Sequence, residues 1–142
     1  MTPVAILYDP DCGFCRVSLA LLLCWDRRGR LRPVPLGGEE ADAFLAGMPE
    51  EQRMASWHLV ESGPGAARPS AAVHSAGAAF PPVFALLPGG RPLARLSARF
   101  PGASERAYRL VADHRSLLGR GLPAAARRWA DRVLSGSRPD GR

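Results

Sequence analysis

The sequence predicts an α/β fold with a small parallel or mixed sheet, and three observations support that class. Val4–Tyr8 is a short, nearly continuous apolar run, which is typical of a strand buried at the centre of a sheet. An apolar helical pattern follows over about residues 14–28, and residues 31–36 then alternate as a second strand does. A strand, a crossover helix and a second strand form a βαβ unit with parallel strands. The 142 residues are enough for one domain with a sizeable core.

The first helix is predicted to be largely buried, because little of its surface is polar. Five residues share one face, and neighbouring leucines widen it: Phe14, Val17, Leu21, Cys24 and Trp25. Residues 26–29 are expected to close the helix with basic side chains and a C-cap glycine. The second strand contains Pro33 and Pro35, which lack backbone donors and place it at an edge of the sheet.

Shorter elements are predicted for the middle of the chain. Residues 39–55 have the pattern of one or two short helices, broken near residues 47–49 where glycine and proline occur. Residues 57–60 form the third strand, and the Gly-Pro-Gly of residues 63–65 ends it. Residues 71–74 are expected to pair with that strand as a short hairpin partner.

The C-terminal half is predicted to be helical. Helices are expected over residues 78–87, 91–99, 104–119 and 123–134, and the tail from 135 to 142 is expected to be disordered. Ser104 is the expected N-cap of the third of these helices, and Gly119 its stop. That helix carries an apolar stripe: Ala107, Leu110, Val111, His114, Leu117 and Leu118.

The net charge of +6 is concentrated in the last third of the chain. Residues 1–90 carry about −2 and residues 91–142 about +8, with every basic side chain an arginine apart from three histidines. The chain has no lysine or asparagine, so the bias is more typical of codon composition than of a ligand. Because no aromatic platform or reader motif accompanies the charge, we expect no nucleic-acid binding. Weak contact with a partner protein or an anionic membrane surface through the C-terminal helix remains open.

Cysteine usage and hydropathy point to the cytoplasm. We find no pattern of a secretory signal, and the longest apolar stretch, Val17–Trp25, is far shorter than the roughly 20 residues that span a bilayer. Three cysteines are too few for a disulfide scaffold. In a reducing compartment a CxxC pair is more typical of catalysis or of metal binding.

Cys12 and Cys15 stand at CxxC spacing between the first strand and the first helix. That placement within a βαβ pattern indicates a thioredoxin-like redox site at the carboxyl end of the strand. Free N–H groups and the positive dipole at a helix N-terminus favour a thiolate, so Cys12 is the expected exposed nucleophile with a lowered pKa. Cys15, one turn further on, is the expected buried resolving thiol, and no cofactor beyond the pair is required.

Zinc binding is the main rival interpretation of the pair. A structural zinc site needs four ligands, and only four other residues offer a nitrogen or sulfur donor: Cys24, His58, His74 and His114. None has a second-pair spacing, so we expect no metal site. Cys24 lies about 13 Å beyond Cys15 along the helix and is expected to be a core residue. The histidines are expected to be structural or exposed.

Asp9 and Asp11 flank the thiols and are candidate catalytic residues. A nearby carboxylate raises the pKa of a thiol, but a partly buried one can also exchange a proton with the resolving cysteine. Capping of the helix is an equally good role for Asp11. Arg16 would stabilise a thiolate or an anionic substrate, although a solvated position on the helix face is the favoured interpretation.

Together these residues resemble the DCC family of thiol-disulfide oxidoreductases. The pattern DxxCxxC after an apolar strand, with Asp9, Cys12 and Cys15, carries the resemblance. It continues through residues 34–36, 56–60, 75–79, 108–115 and 118–120. The resemblance covers about residues 4–120.

The resemblance implies a thioredoxin-like three-layer fold with a small mixed sheet and extra C-terminal helices. We expect residues 1–120 to form this domain, residues 121–134 an amphipathic helix and residues 135–142 a disordered tail. The implied activity is disulfide exchange with a disulfide-containing protein or a small thiol, reset by an external thiol reductant. Two alternatives stay open: a non-enzymatic module that docks through its basic C-terminal helices, and a metal-binding CxxC protein.

Overall fold

The computed structural model describes residues 3–61 and 72–137. Four strands form its sheet: β1 Val4–Tyr8, β2 Leu31–Pro35, β3 His58–Glu61 and β4 Ala72–Ser75. Their order across the sheet is β2-β1-β3-β4. Strand β1 pairs parallel with β2 and antiparallel with β3, and β4 pairs antiparallel with β3. The predicted βαβ unit, the central position of β1 and the edge position of β2 are confirmed.

Helices surround this sheet. They are α1 Gly13–Trp25, α2 Glu39–Phe44, α3 Glu50–Ala55, α4 Phe80–Leu86, α5 Arg91–Arg99, α6 Pro101–Arg120 and α7 Ala124–Gly136. A 3₁₀ turn, Ala76–Ala79, leads into α4, whose first turn holds Pro81 and Pro82, where a missing N–H removes no helical hydrogen bond. This mixed α/β architecture is consistent with a thioredoxin-like fold.

The continuous apolar character of β1 follows from burial on both of its faces. Ile6 packs in a cluster with Leu19 of α1 and Val83 of α4. Leu7, its neighbour along the strand, points to the other face and packs in a second cluster with Leu45, which follows α2. The fold is therefore a helix layer, a sheet and a second helix layer, and the site lies where β1 ends.

Helix α1 ends at Trp25, earlier than the sequence predicts. Asp26 is the C-cap residue, and its buried carboxylate accepts a hydrogen bond from the backbone N–H of Leu31 at 2.7 Å. That bond ties the end of the helix to the start of β2. Gly29, expected to be the C-cap glycine, instead lies in the connecting loop with a φ of 60°.

The predicted buried face of α1 is wrong for Leu21 and Cys24, whereas Trp25 packs against the core cluster as expected. Leu19 and Ala20 are its fully buried residues, whereas Leu21 is 59% exposed and Cys24 is also exposed. The expectation that Cys24 belongs to the core is therefore overturned. Because apolar residues surround nearly the whole helix, the pattern alone did not specify which side meets the sheet.

Helix α6 also differs from its prediction. It begins at Pro101, so Ser104 lies inside the helix, where its hydroxyl donates to the backbone carbonyl of Ser97 at 3.2 Å. Gly119 is likewise helical, and the helix continues to Arg120. Much of the predicted apolar stripe faces outward, since Leu110 is 64% and Leu117 60% exposed.

The start of α6 is held against the 3₁₀ turn by a close backbone approach. A Cβ atom on Gly77 would lie 2.7 Å from the backbone N and Cα of Glu105, so only glycine fits there. The Gly77 N–H donates to the Glu105 carboxylate at 3.0 Å. This contact fixes α6 beside the sheet and α1.

Helix α7 confirms the helix expected over residues 123–134 and packs on α1. Ala130 and Leu134 are buried, and Leu134 joins the cluster that contains Leu19. The helix continues to Gly136, so the expected disorder is wrong for residues 135 and 136; residues 138–142, like the predicted turn at 63–65, lie outside the described residues. Within the described ranges, no helix is both long and apolar enough to cross a membrane.

Candidate active site

The cysteine pair lies where β1 gives way to α1. Cys12 is the N-cap residue of α1 in an extended conformation, and Cys15 lies in the first turn. The two form a disulfide pair with their Cα atoms 5.2 Å apart. The Cys12 Sγ also accepts a hydrogen bond from the backbone N–H of Cys15 at 3.2 Å. The Cys12 sulfur thus occupies the position of an N-capping oxygen and lies at the positive end of the helix dipole.

Asp9 shapes the turn that presents the pair. Its side-chain Oδ1 accepts a hydrogen bond from the backbone N–H of Asp11 at 2.9 Å, and its carbonyl oxygen accepts the N–H of Cys12 at 3.4 Å. Asp11 is exposed and does not cap the helix, because the Cys12 sulfur has that role. The capping role considered for Asp11 is therefore wrong.

A cavity of about 310 Å³, which we call the apolar cavity, opens beside Cys15. It lies among β1, α1, α4 and α6. Its lining is almost wholly apolar and includes Asp9, Phe14, Cys15, Leu22, Trp57, Phe80, Phe84, Tyr108, Val111 and Arg115. Cys15 and Asp9 thus share one apolar environment.

A second concavity, which we call the basic pocket, has a volume of about 330 Å³ and lies beside Cys12. The N-terminus of α1, the end of α6 and the start of α7 form its walls. Its lining includes four arginines and one carboxylate: Arg16, Arg115, Arg120, Arg127 and Asp11. The two cysteines of one pair therefore line cavities of opposite character.

The family assignment agrees with this geometry. A model of the DCC1-like thiol-disulfide oxidoreductase family matches residues 6–121, which is most of the chain. The chain belongs to this family. No curated protein and no solved structure gives a match. The resemblance carried by Asp9, Cys12 and Cys15 is thereby confirmed at the level of the family.

In this DCC1-like protein, Arg16 does not have the solvated position on the helix face that the sequence favours. Its Nη1 lies 3.4 Å from the Asp131 carboxylate of α7, and its side chain is only 27% exposed. Its Nε is buried without a hydrogen-bond partner among the described residues. Arg16 therefore joins α1 to α7 and still contributes charge to the basic pocket.

Aromatic side chains build the wall of the apolar cavity opposite the pair. The Phe80 ring lies centrally, with centroid distances of 5.9 Å to Trp57, 5.8 Å to Phe84 and 6.3 Å to Tyr108. Burial raises the pKa of Tyr108 above its ordinary value, and hydrogen bonds with the Trp57 backbone and the Ser56 side chain partly oppose that effect. The Tyr108 hydroxyl is thus neutral at physiological pH.

The other candidate metal ligands of the sequence do not gather around the Cys12–Cys15 pair. His58 is fully buried, with its ring nitrogens 2.6 Å from the Ser75 hydroxyl and 2.9 Å from the Arg53 carbonyl oxygen. Burial lowers its pKa, and the bond to Arg53 partly opposes this. Among the described residues, no three of the His, Cys, Asp and Glu side chains lie together as a metal site.

Sequence reasoning missed the arginines that α6 and α7 bring to Cys12. Arg115, Arg120 and Arg127 are more than 100 residues from Cys12 in sequence, and the charge of this region pointed equally well to codon bias. One signal was present: Arg115 and Arg120 belong to the stretches that resemble the family. Arg127 follows the matched residues 6–121 and carried no such signal.

Proposed function

We propose that this protein is a thiol-disulfide oxidoreductase that uses Cys12 and Cys15 to exchange disulfides with a protein or small-thiol substrate. One observation carries the proposal: the pair separates the basic pocket, on the side of Cys12, from the apolar cavity, on the side of Cys15. Two thiols in unlike environments favour different roles, as sequential disulfide exchange requires.

Cys12 is the proposed nucleophile. Its sulfur receives the Cys15 N–H at 3.2 Å, and the arginines of the basic pocket add positive charge beside it. Both features favour the thiolate over the neutral thiol. The pocket also leaves this side of the pair open to a substrate.

Cys15 is the proposed resolving residue. The Cys12 thiolate attacks a substrate disulfide, displaces one thiolate and forms a mixed disulfide; the Cys15 thiolate then attacks Cys12 and releases the second. Two electrons pass to the substrate, and both protein sulfurs end in the Cys12–Cys15 disulfide. Asp9, on the same cavity as Cys15, is the proposed acceptor of its proton, and Asp11 the carboxylate that exchanges protons on the Cys12 side.

The exchange needs no cofactor beyond the two thiols, and an external thiol reductant resets the pair. A cytoplasmic location suits this cycle, because the thiol pool there is reducing. The docking-module alternative is less well supported, since α7 already buries Ala130 and Leu134 against its own chain. The metal alternative is less well supported, since within residues 3–61 and 72–137 no group of three His, Cys, Asp or Glu side chains could hold a metal ion.

A redox titration tests this proposal. The exposed Cys24 would add a labelling background, so the matched background variant is Cys24→Ser, which keeps the proposed pair intact. In glutathione buffers, thiol labelling of this variant should follow one reversible two-electron transition, and Cys12→Ser in the same background should abolish it. A pair that never closes, or that resists labelling until a chelator is added, would contradict the proposal.

A further inference from the structure

We propose that the basic pocket binds the anionic groups of a small disulfide substrate, so that this protein prefers disulfides carrying carboxylates near the sulfur atoms. The inference rests on the proposed function and adds a substrate class to it. It depends on three observations: the position of the pocket, its charge and its size.

The position is decisive because Cys12 itself lines the pocket. A disulfide that enters it meets the proposed nucleophile directly, and groups bonded close to the reacting sulfur then lie among the arginines. Arg127 is close to the start of α1, since its Cδ lies 3.5 Å from where a Cβ on Gly13 would be. Arg115 lines both the basic pocket and the apolar cavity, so it lies between the two sides of the pair.

The arginines of the pocket are poorly neutralised by the protein. Arg16 pairs with Asp131, but among the described residues no carboxylate forms an ion pair with Arg115, Arg120 or Arg127. Arg127 donates instead to the backbone carbonyl of Leu122 at 3.1 Å. Asp11 is the single acid in the lining. The pocket therefore holds excess positive charge that a substrate carboxylate would balance.

The size of the pocket favours a small molecule. A volume of about 330 Å³ lies at the lower end of the range typical of small-molecule sites.

The exchange reaction gives a further role to the positive charge of the basic pocket. When the Cys12 thiolate attacks R–S–S–R, a thiolate R–S⁻ leaves, and the arginines stabilise that departing charge. Resolution by Cys15 releases the second R–S⁻, so one disulfide becomes two thiols for two electrons.

Three probe disulfides of similar length test the inference: 3,3′-dithiodipropionate with two carboxylates, neutral bis(2-hydroxyethyl) disulfide, and cystamine with two ammonium groups. The measurement is the rate of oxidation of the reduced protein in the Cys24→Ser background. We expect the dianion to react about 10- to 100-fold faster than the neutral probe at low salt, and the dication more slowly. The preference should shrink as salt screens the arginines.

Matched charge variants locate the effect. Replacing Arg115, Arg120 and Arg127 by Gln should bring the ratio of dianion to neutral rates close to one, and taking the ratio cancels any change in the Cys12 thiolate itself. Replacing Arg91, Arg95 and Arg106 by Gln removes the same net charge from exposed positions outside the pocket and should leave the ratio unchanged.

The outcomes separate the two proposals. If the Cys12–Cys15 pair shows no reversible transition in glutathione buffers, the oxidoreductase function fails and this inference fails with it. If the pair titrates but none of the three probes oxidises it, the function stands and the small-substrate inference is overturned. If all three react at equal rates, or if both triple variants lower the ratio equally, the function stands and the pocket assignment is overturned. A preference for acidic over neutral peptide disulfides, with none among the small probes, would also overturn it in favour of a polypeptide substrate.

Discussion

The basic pocket and the apolar cavity lie on opposite sides of one disulfide and have opposite chemistry. Four arginines and one carboxylate line the side of Cys12, whereas aromatic and aliphatic side chains line the side of Cys15. The two cysteines are only three residues apart, with their Cα atoms separated by 5.2 Å. Distant helices, rather than the CxxC segment alone, therefore give each cysteine its surroundings.

The largest expected effect comes from removing either sulfur. In the Cys24→Ser background, Cys12→Ser should lower disulfide reduction by about a thousandfold or more, since the proposed nucleophile is removed. In Cys15→Ser, Cys12 should still attack the probe disulfide, but no thiol remains to resolve the mixed disulfide, so the protein bound to half of the probe accumulates. Intact-protein mass spectrometry distinguishes the two. Accumulation in Cys12→Ser and not in Cys15→Ser would reverse the assigned roles.

Loosening α6, which forms part of both walls, should affect the whole molecule. Gly77→Ala places a Cβ within 2.7 Å of the Glu105 backbone, so we expect the free energy of unfolding to fall by about 1–3 kcal/mol. Gly102→Ala is the control, because nothing lies within 4 Å of its added Cβ. Urea unfolding of both variants provides the measurement. Equal stability of the two would show that the 3₁₀ turn can move away from α6.

An added charge in the apolar cavity should change the reactivity of Cys15. Val111→Glu places a carboxylate on the cavity wall and should slow resolution by Cys15 about tenfold, because like charge disfavours its thiolate. Leu110→Glu adds the same charge to an exposed neighbour outside the lining. Release of the second thiol in single-turnover experiments measures the step, and identical rates for both variants would argue against apolar control of Cys15.

The smallest effect is a pH dependence of the free energy of unfolding, which arises from His58 and not from the cysteine thiols. Burial lowers the pKa of His58 below its ordinary value of 6.5, so below that pH the unfolded chain binds more protons than the folded one. The free energy of unfolding should therefore decrease as the pH is lowered below 6.5, by at most about 1.4 kcal/mol per pH unit. Urea midpoints should show a flatter profile for His58→Gln, and the wild-type slope for the exposed control His114→Gln.

The central sheet and the position of the cysteine pair could be predicted because their signals are local. A strand buried on both faces is apolar throughout, as Val4–Tyr8 is, and prolines at 33 and 35 are tolerated at an edge. Cys12 and Cys15 needed only their spacing and their place between strand and helix. The same holds for α5, whose predicted bounds Arg91–Arg99 are confirmed.

Features that depend on distant contacts were not predictable in this way. Leu21 and Cys24 face outward because α1 meets the sheet through Leu19, a choice that an almost fully apolar helix does not reveal. Helix α6 starts before Ser104 because Pro101 at its first position needs no side-chain cap to begin a helix. The basic pocket required knowing that the ends of α6 and α7 meet the start of α1.

The packing of α7 has a consequence for how this protein can be divided. The family model ends at residue 121, but Leu134 belongs to the same core cluster as Leu19, and Arg127 lines the same pocket as Cys12. A chain shortened to the matched residues would leave apolar surface of α1 uncovered and would remove one wall of the basic pocket. We therefore expect the smallest autonomous unit of this protein to extend beyond the residues that the family model matches, and a Cys12–Cys15 segment transplanted into another scaffold to require α7.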